Sequence, residues 1–123
     1  MNNLLYAIIG HLVGDYLLQN DWMALNKKRT DSWIGDAACT VHSFIWMASV
    51  CLFAGWFSSD SWAPFVLFVT HYIQDRSNIV VWWMTKVNRQ EKFLKGPCAP
   101  WSAIVVDNVW HIVTLYFVSI YCL

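Results

Sequence analysis

Charged residues are scarce in this sequence: Asp, Glu, Lys and Arg make up 13% of its 123 residues, against about 25% in an average soluble domain. Apolar residues make up 58% and include nine Trp. The 8 basic and 8 acidic residues balance to a net charge of zero. The chain therefore has no net positive charge of the kind that attracts a nucleic-acid polymer. This composition argues against an ordinary soluble domain and predicts a single integral membrane domain.

The sequence also lacks a cysteine framework. None of its four cysteines forms a Cys-x-x-Cys pair, so structural disulfides are not expected. Alternation of apolar and polar residues with a period of two is missing, which argues against a barrel. The first apolar run has no basic residues before it and no small-residue cleavage site after it. We therefore expect this run to remain as a helix rather than to act as a signal peptide.

Long apolar segments dominate what is present. A membrane-spanning helix needs roughly 20 such residues, and about 17 suffice. Four segments approach this length, and Trp residues lie near their ends, as they do at a membrane interface. We therefore predict an all-α polytopic membrane protein whose single domain, residues 1–123, is a four-helix transmembrane bundle, with helices at about residues 3–19, 34–57, 62–84 and 101–122.

Basic residues in the connections predict the orientation. The connection "SSDS" between the second and third segments has none. The other two connections are basic and contain Lys27, Lys28, Arg29, Lys86, Arg89, Lys92 and Lys95. Because basic loops stay in the cytoplasm, we expect a multi-pass protein of the bacterial inner membrane with both termini outside.

Ionisable residues inside the apolar segments form a regular pattern. Three segments carry a His and an Asp four residues apart, and the remaining one carries a single His; the set is His11, Asp15, His42, His71, Asp75, Asp107 and His111. Residues four apart share one helix face, with Cβ atoms about 5–6 Å apart. In the expected orientation each Asp lies nearer the cytoplasm than its His. The seven side chains are therefore predicted to converge on one layer in the cytoplasmic half of the bundle.

This layer predicts a metal site. A charged group at the bilayer centre costs at least roughly 2.5–3.5 kcal/mol, so several such groups need a common partner. Water and mutual His–Asp pairing could serve in a metal-free polar network, but a divalent cation stabilises carboxylates and neutral imidazoles together. This ligand set suits zinc first. Seven candidate ligands exceed a closed zinc site and fit one or two ions, with an Asp bridging and a position open to water.

Polar neighbours of these candidate ligands leave alternatives open. Arg76 could contact a phosphate or extend to the cytoplasmic surface. Four amides could orient ligands or make ordinary interhelical hydrogen bonds: Gln19, Gln74, Asn78 and Asn108. Cys39 lies three residues before His42, and we interpret it as a packing residue.

Four stretches carry a family resemblance: "HLVGDYLLQNDWMALNKKR", "VHSF", "THYIQDRSN" and "VDNVWHI". With them the chain resembles, over nearly its whole length, the small bacterial and phage membrane proteins grouped as domain of unknown function 3307. It is more distantly similar to LexA-regulated membrane-bound metal-dependent hydrolases, and through them to zinc phospholipase C-like proteins. The resemblance implies metal-ligand roles for the seven His and Asp residues. The N-terminal Trp amine and the extra His and Glu ligands of the phospholipases are not evident here, which favours one or two ions over three.

Three functions fit these observations. The first is a metal-dependent phosphoester hydrolase that uses water activated by the metal on a lipid headgroup or a nucleotide. The second is a non-enzymatic interaction or inhibitor protein, such as phages encode, whose metal or polar network is structural and whose partner is a membrane protein or a second copy. The third is an oligomer that conducts protons or cations. In every case the lipid bilayer is the expected surrounding.

Overall fold

The computed structural model describes residues 3–123, and no strand occurs within that range. The all-α prediction is therefore confirmed. Two of the helices run on into π-helical turns. The elements are α1 (Asn3–Leu12) with a π-helical segment (Val13–Leu17), α2 (Asp21–Asn26), α3 (Ile34–Ala54), α4 (Ala63–Arg76), α5 (Ile79–Trp82) with a π-helical segment (Trp83–Val87), α6 (Glu91–Lys95) and α7 (Trp101–Tyr121).

Local sequence explains several of the helix ends. The Asn20 side chain caps α2 by accepting a hydrogen bond from the backbone N–H of Met23 at 3.0 Å, as short polar residues do at helix starts. Helix α3 ends at Gly55, whose φ of 70° lies in the left-handed region that favours glycine. Pro64 lies in the first turn of α4, where its missing N–H leaves no helical hydrogen bond unmade.

The third segment is not the continuous helix that we predicted over residues 62–84. Helix α4 ends at Arg76, and Ser77 is extended, with φ −98° and ψ 172°. The Lys28 ammonium donates to the carbonyl oxygens of Asp75 at 2.8 Å and Ser77 at 2.9 Å. A cation at these carbonyls satisfies the end of α4, which apolar periodicity alone could not reveal.

The first segment also departs from the predicted helix over residues 3–19. Its α-helical part ends at Leu12, and the following turn, Val13–Leu17, is π-helical. Such turns hold one extra residue and often occur at functional sites. Here the π-helical turn contains Asp15, one of the candidate ligands.

Within the described residues, two helices are long and apolar enough to cross a membrane: α3 and α7, with 21 residues each. In α3, 56% of the apolar stretch is buried inside the protein, but in α7 only 17% is. A buried core helix of a soluble protein would pass the same length test as α3. Helix α4 has 14 residues and measures about 21 Å at 1.5 Å per residue. The structure thus offers two candidate spans, and the four-span bundle stays a prediction.

Helix α3 is the central element of the bundle. It packs against α1, α2 and α4, and α7 closes the bundle against α1 and α4. Buried side chains from four of these helices, among them Ala7, Trp46, Leu67 and Leu115, form the apolar core. The His and Asp residues lie toward the end of the bundle where α1 and α4 finish and α3 and α7 begin.

The order of elements repeats along the chain. A π-helical turn, a short helix and a 21-residue helix follow α1 in the first half and follow α5 in the second. Each half contains a His-x-x-x-Asp pair near its start. Asp15 lies inside the π-helical turn of its half, whereas Asp75 is separated from its π-helical turn by the break at Ser77 and by α5. The two halves thus differ mainly by residues 77–82, which contain the break and α5 and which we call the inserted segment.

Close approach of α1 to α3 generates the first prediction. A Cβ atom at Gly10 would lie 2.8 Å from the backbone oxygen of Ser49 and 2.8 Å from the Cα of Val50. Gly to Ala inside a helix normally stabilises by about 1 kcal/mol, but here overpacking should cost about 1–3 kcal/mol. We expect Gly10→Ala to lower the melting temperature measured by circular dichroism.

The control for this prediction is Val109→Ile, which also adds one carbon but at a position of α7 that is 54% exposed. It should change stability by less than about 0.5 kcal/mol. A Gly10→Ala protein as stable as this control would contradict the close packing of α1 on α3.

Candidate metal centre

Four helices place imidazoles at one buried level of the bundle. His11, His42, His71 and His111 come from α1, α3, α4 and α7 in turn, and each is at most 2% exposed. Asp75 is 3% exposed. The structure therefore brings together side chains that are far apart in the chain, as the shared-layer hypothesis requires.

The centre of the cluster is a pair of facing imidazoles. The Nε2 atoms of His42 and His71 lie 3.1 Å apart. His42 Nε2 also lies 3.2 Å from Asp15 Oδ1 and 3.1 Å from Asp75 Oδ2. His71 Nε2 lies 3.8 Å and 3.4 Å from the same two oxygens. Both Nδ1 atoms are buried without a hydrogen-bond partner in residues 3–123, so all polar contacts of these rings are made through Nε2.

Helix α7 adds a second imidazole–carboxylate group beside this pair. His111 Nε2 lies 3.5 Å from Asp75 Oδ1 and 3.3 Å from Asp107 Oδ2. Asp75 therefore presents one oxygen to His42 and His71 and the other to His111. Because its two oxygens face different imidazoles, Asp75 has the arrangement that a carboxylate needs to bridge two metal ions.

His11 has both ring nitrogens engaged by the protein. Its Nδ1 accepts a hydrogen bond from the Trp46 indole at 3.0 Å, and its Nε2 lies 2.9 Å from Asn108 Oδ1. Nδ1 also lies 3.1 Å from Asp15 Oδ2, but it cannot donate to this carboxylate while it accepts from Trp46. In this arrangement His11 links α1 to α3 through Trp46 and to α7 through Asn108, and its assignment as a ligand stays a prediction.

Two groups of three donors could hold an ion: Asp15 with His42 and His71, and His71 with Asp75 and His111. Zinc bonds nitrogen and oxygen at about 2.0–2.2 Å, so donors around a tetrahedral ion lie about 3.3–3.5 Å apart. The distances between the donor atoms of the first group, 3.1, 3.2 and 3.8 Å, bracket that value. The residues present therefore fit a zinc-like ion. Three protein donors also leave one position for water or substrate, as in catalytic zinc sites.

Trp46 organises the cluster, a role that the sequence analysis missed. Its ring stacks on His71 with centroids 4.0 Å apart and 16° between planes, while its indole N–H donates to His11. The sequence could have indicated this role, because Trp46 lies four residues after His42 and therefore on the same face of α3.

A pocket of about 370 Å³ opens beside the cluster. Three carboxylates and two ammonium groups of the cluster region line it, from Asp15, Asp75, Asp107, Lys27 and Lys28, and we call it the lysine pocket. Lys27 Nζ lies 2.6 Å from Asp75 Oδ2. Burial opposes charge on Lys27, yet the attraction of nearby carboxylates, Asp75 above all, raises its pKa above the usual lysine value. Burial lowers the pKa of Lys28.

Arg76 lies away from this pocket, which does not favour the phosphate contact that was one of its two alternatives. Its Nε donates to Asp36 Oδ1 at 2.9 Å, and it does not line the lysine pocket. The physical reason is that consecutive helical residues point about 100° apart, so Arg76 faces α3 when Asp75 faces the cluster. The basic side chains beside the cluster are instead those of Lys27 and Lys28, whose only predicted role was to indicate the orientation of the chain in the membrane.

Amide side chains border the cluster as the sequence suggested. Gln74 donates to the Asp107 carboxylate at 2.9 Å and to its carbonyl oxygen at 3.0 Å. Asn108 contacts His11, while Gln19 and Asn78 line the lysine pocket. Cys39 is buried and its thiol contacts Ser43 and the carbonyl oxygen of Tyr72, as expected of a packing residue.

Comparison with known proteins gives one family. The family model described as "Protein of unknown function (DUF3307)" matches residues 4–123, a range that contains all seven candidate ligands. No curated protein and no solved structure matches the chain.

The donor geometry predicts metal binding. We expect the purified protein to retain one or two divalent ions per chain, zinc in preference to magnesium, after excess metal is removed by gel filtration. Asp75→Asn and His71→Ala should each weaken binding at least about tenfold, since even residues that only orient ligands contribute that much. Elemental analysis by mass spectrometry measures the stoichiometry.

Asp36→Asn is the matched control, because it is the same substitution at an exposed carboxylate that pairs with Arg76 outside the cluster. It should keep the metal content of the wild type. Equal metal content in Asp75→Asn and Asp36→Asn, or none in the wild type, would contradict the assignment.

Proposed function

The chain belongs to the DUF3307 family, as its sequence resemblance predicted, and we propose that it is a membrane-embedded, metal-dependent phosphoester hydrolase. The observation that carries this proposal is the lysine pocket. The cluster carboxylates and the ammonium groups of Lys27 and Lys28 line it together. Carboxylate–imidazole donors beside ammonium groups suit a substrate that brings an anionic phosphoryl group to a divalent cation.

The proposed reaction is hydrolysis. When bound, a divalent cation supplies Lewis acidity that activates water and stabilises charge on the phosphoryl oxygens. The oxygen of water forms a bond to phosphorus, the ester P–O bond breaks, and the proton of water ends on the leaving oxygen. Lys27 and Lys28 bind and orient the phosphoryl group as point charges. Asp107, 33% exposed at the side chain and lining the pocket, receives the proton released by water before the leaving oxygen takes it.

Exposed apolar side chains support placement in a membrane. Helix α7 exposes Val105, Val109, Tyr116, Phe117 and Ile120 by about half each. Apolar patches of this kind mark membrane or partner surfaces. We propose the bacterial inner membrane, with the basic connections in the cytoplasm and both termini outside. In that orientation the lysine pocket opens toward the cytoplasmic leaflet.

One observation favours a second candidate. The 2.6 Å ion pair of Lys27 with Asp75 supplies a positive charge from the chain itself. In a metal-free network this pair would neutralise the buried carboxylate, and the protein would act by interaction with a membrane partner. The metal content of the folded protein separates the two candidates.

A hydrolase assay tests the proposal. We expect the zinc- or manganese-loaded protein in detergent to hydrolyse p-nitrophenyl phosphate or its bis ester. The Asp75→Asn protein should lose both the bound metal and this activity. Lys27→Met should lower kcat/KM by about tenfold or more, since a hydrogen bond to a charged group contributes about 1.5–3 kcal/mol. It should do so with the metal retained.

Lys95→Met serves as the control, because Lys95 pairs with Glu91 on the surface of α6 outside the lysine pocket. Its activity should equal that of the wild type. A folded, metal-loaded wild type without turnover of either ester would contradict the hydrolase proposal.

A further inference from the structure

A second cavity of about 380 Å³ lies in the second half of the chain. Its walls are mainly apolar and include Ile73, Ile79, Val80, Trp82, Trp83 and Trp110; we call it the tryptophan pocket. Its two polar lining residues are Thr70 and Gln74. The Thr70 hydroxyl donates to the Val66 carbonyl of its own helix at 2.7 Å. This cavity therefore offers apolar contacts and few free hydrogen-bonding groups.

The tryptophan pocket adjoins the lysine pocket. Val80 lines both cavities. Gln74 lines the tryptophan pocket and donates to the Asp107 carboxylate at 2.9 Å, while Asp107 lines the lysine pocket. Single side chains thus separate an apolar cavity from a cavity that contains two ammonium groups.

The inserted segment forms part of both cavities. Ser77, Asn78 and Val81 line the lysine pocket, and Ile79 and Trp82 line the tryptophan pocket. These residues lie in and beside α5, the element that distinguishes the second half of the chain from the first. The break in the third segment therefore shapes both cavities, because the residues beside it line the lysine pocket and the tryptophan pocket.

Adjacent polar and apolar cavities match an amphiphile. A phosphate in the lysine pocket would meet Lys27 and Lys28, and a hydrocarbon chain in the tryptophan pocket would leave water without stranding polar groups. A nucleotide fits less well, because the hydrogen-bonding edge of its base would face apolar walls. Apolar exposure along α7 would also let a lipid enter from the bilayer.

We propose that the substrate is a phospholipid, bound with its phosphate in the lysine pocket and one hydrocarbon chain in the tryptophan pocket. This inference rests on the proposed hydrolase function and names its substrate class. Residues Ile73, Trp83 and Trp110 then determine specificity for the chain and take no part in the reaction itself.

Calorimetric titration of the metal-loaded protein in detergent tests this inference without relying on turnover. The probes are glycerol 3-phosphate, adenosine 5′-monophosphate, and phosphatidic acid with two butanoyl or two hexanoyl chains, each used as the phosphonate in which a methylene group replaces the ester oxygen, so that the bond broken in the proposed reaction is absent. Dihexanoyl phosphatidic acid should bind about tenfold or more tightly than glycerol 3-phosphate, because two or more methylene groups leave water. The dibutanoyl compound should fall between them, and the nucleotide should match glycerol 3-phosphate.

Ile73→Trp is designed to fill the tryptophan pocket from a position that is 54% exposed. It should reduce binding of the hexanoyl lipid to the level of glycerol 3-phosphate and leave glycerol 3-phosphate binding and metal content unchanged. Ile120→Trp, the same substitution at a position 49% exposed outside both cavities, should bind all probes as the wild type does. If Ile73→Trp does not fold, the chain-length series on the wild type decides.

Three results would overturn the inference: equal affinity for lipids with short and long chains, tightest binding of the nucleotide, or equal lipid affinity in Ile73→Trp and Ile120→Trp. If the metal-loaded protein hydrolyses p-nitrophenyl phosphate but gains nothing from the lipid chain, the substrate assignment is wrong and the hydrolase proposal stands. If no phosphate compound binds the metal-loaded protein, both are wrong.

Discussion

The cost of removing carboxylates and imidazoles from water governs this structure. Asp75 and four His residues are each at most 3% exposed, and buried ionised groups are tolerated only when they are paired or bind a metal. Their partners come from different helices, since Asp75 lies beside His42, His71, His111 and Lys27. No single helix could satisfy these groups alone. The cluster therefore links α3, α4 and α7 to one another, and couples assembly of the bundle to formation of the site.

The elements around the cluster accommodate this constraint. Trp46 provides a flat apolar surface for His71 and a hydrogen bond for His11 from one side chain. Lys28 caps the end of α4 and, with Lys27, brings positive charge to the pocket beside the carboxylates. A single basic stretch thus ends a helix and lines the site. The break that follows α4 provides the wall shared by the two cavities.

Sequence reasoning worked where spacing determines geometry. Pairs four residues apart share a helix face, so the convergence of His71 with Asp75 and of Asp107 with His111 was predictable. The break at Ser77 was not, because the ammonium group that binds the carbonyl oxygens there comes from Lys28, 49 residues away in the chain. The direction of Arg76 could have been inferred from helical periodicity, since its neighbour Asp75 was already assigned to the cluster. The roles of Lys27 and Trp46 depend on tertiary contacts, although the position of Trp46 one turn after His42 was a usable signal.

X-ray absorption at the metal edge of the zinc-loaded protein decides whether the buried histidines and aspartates bind the metal, because it reports the atoms bound to the ion. We expect about four nitrogen or oxygen neighbours at about 2.0–2.2 Å, together with the outer-atom scattering of at least two imidazoles. In His42→Ala the imidazole scattering should fall by one ring. Sulfur at about 2.3 Å, or a fully hydrated ion without imidazole scattering, would contradict a metal centre built from these histidines and aspartates.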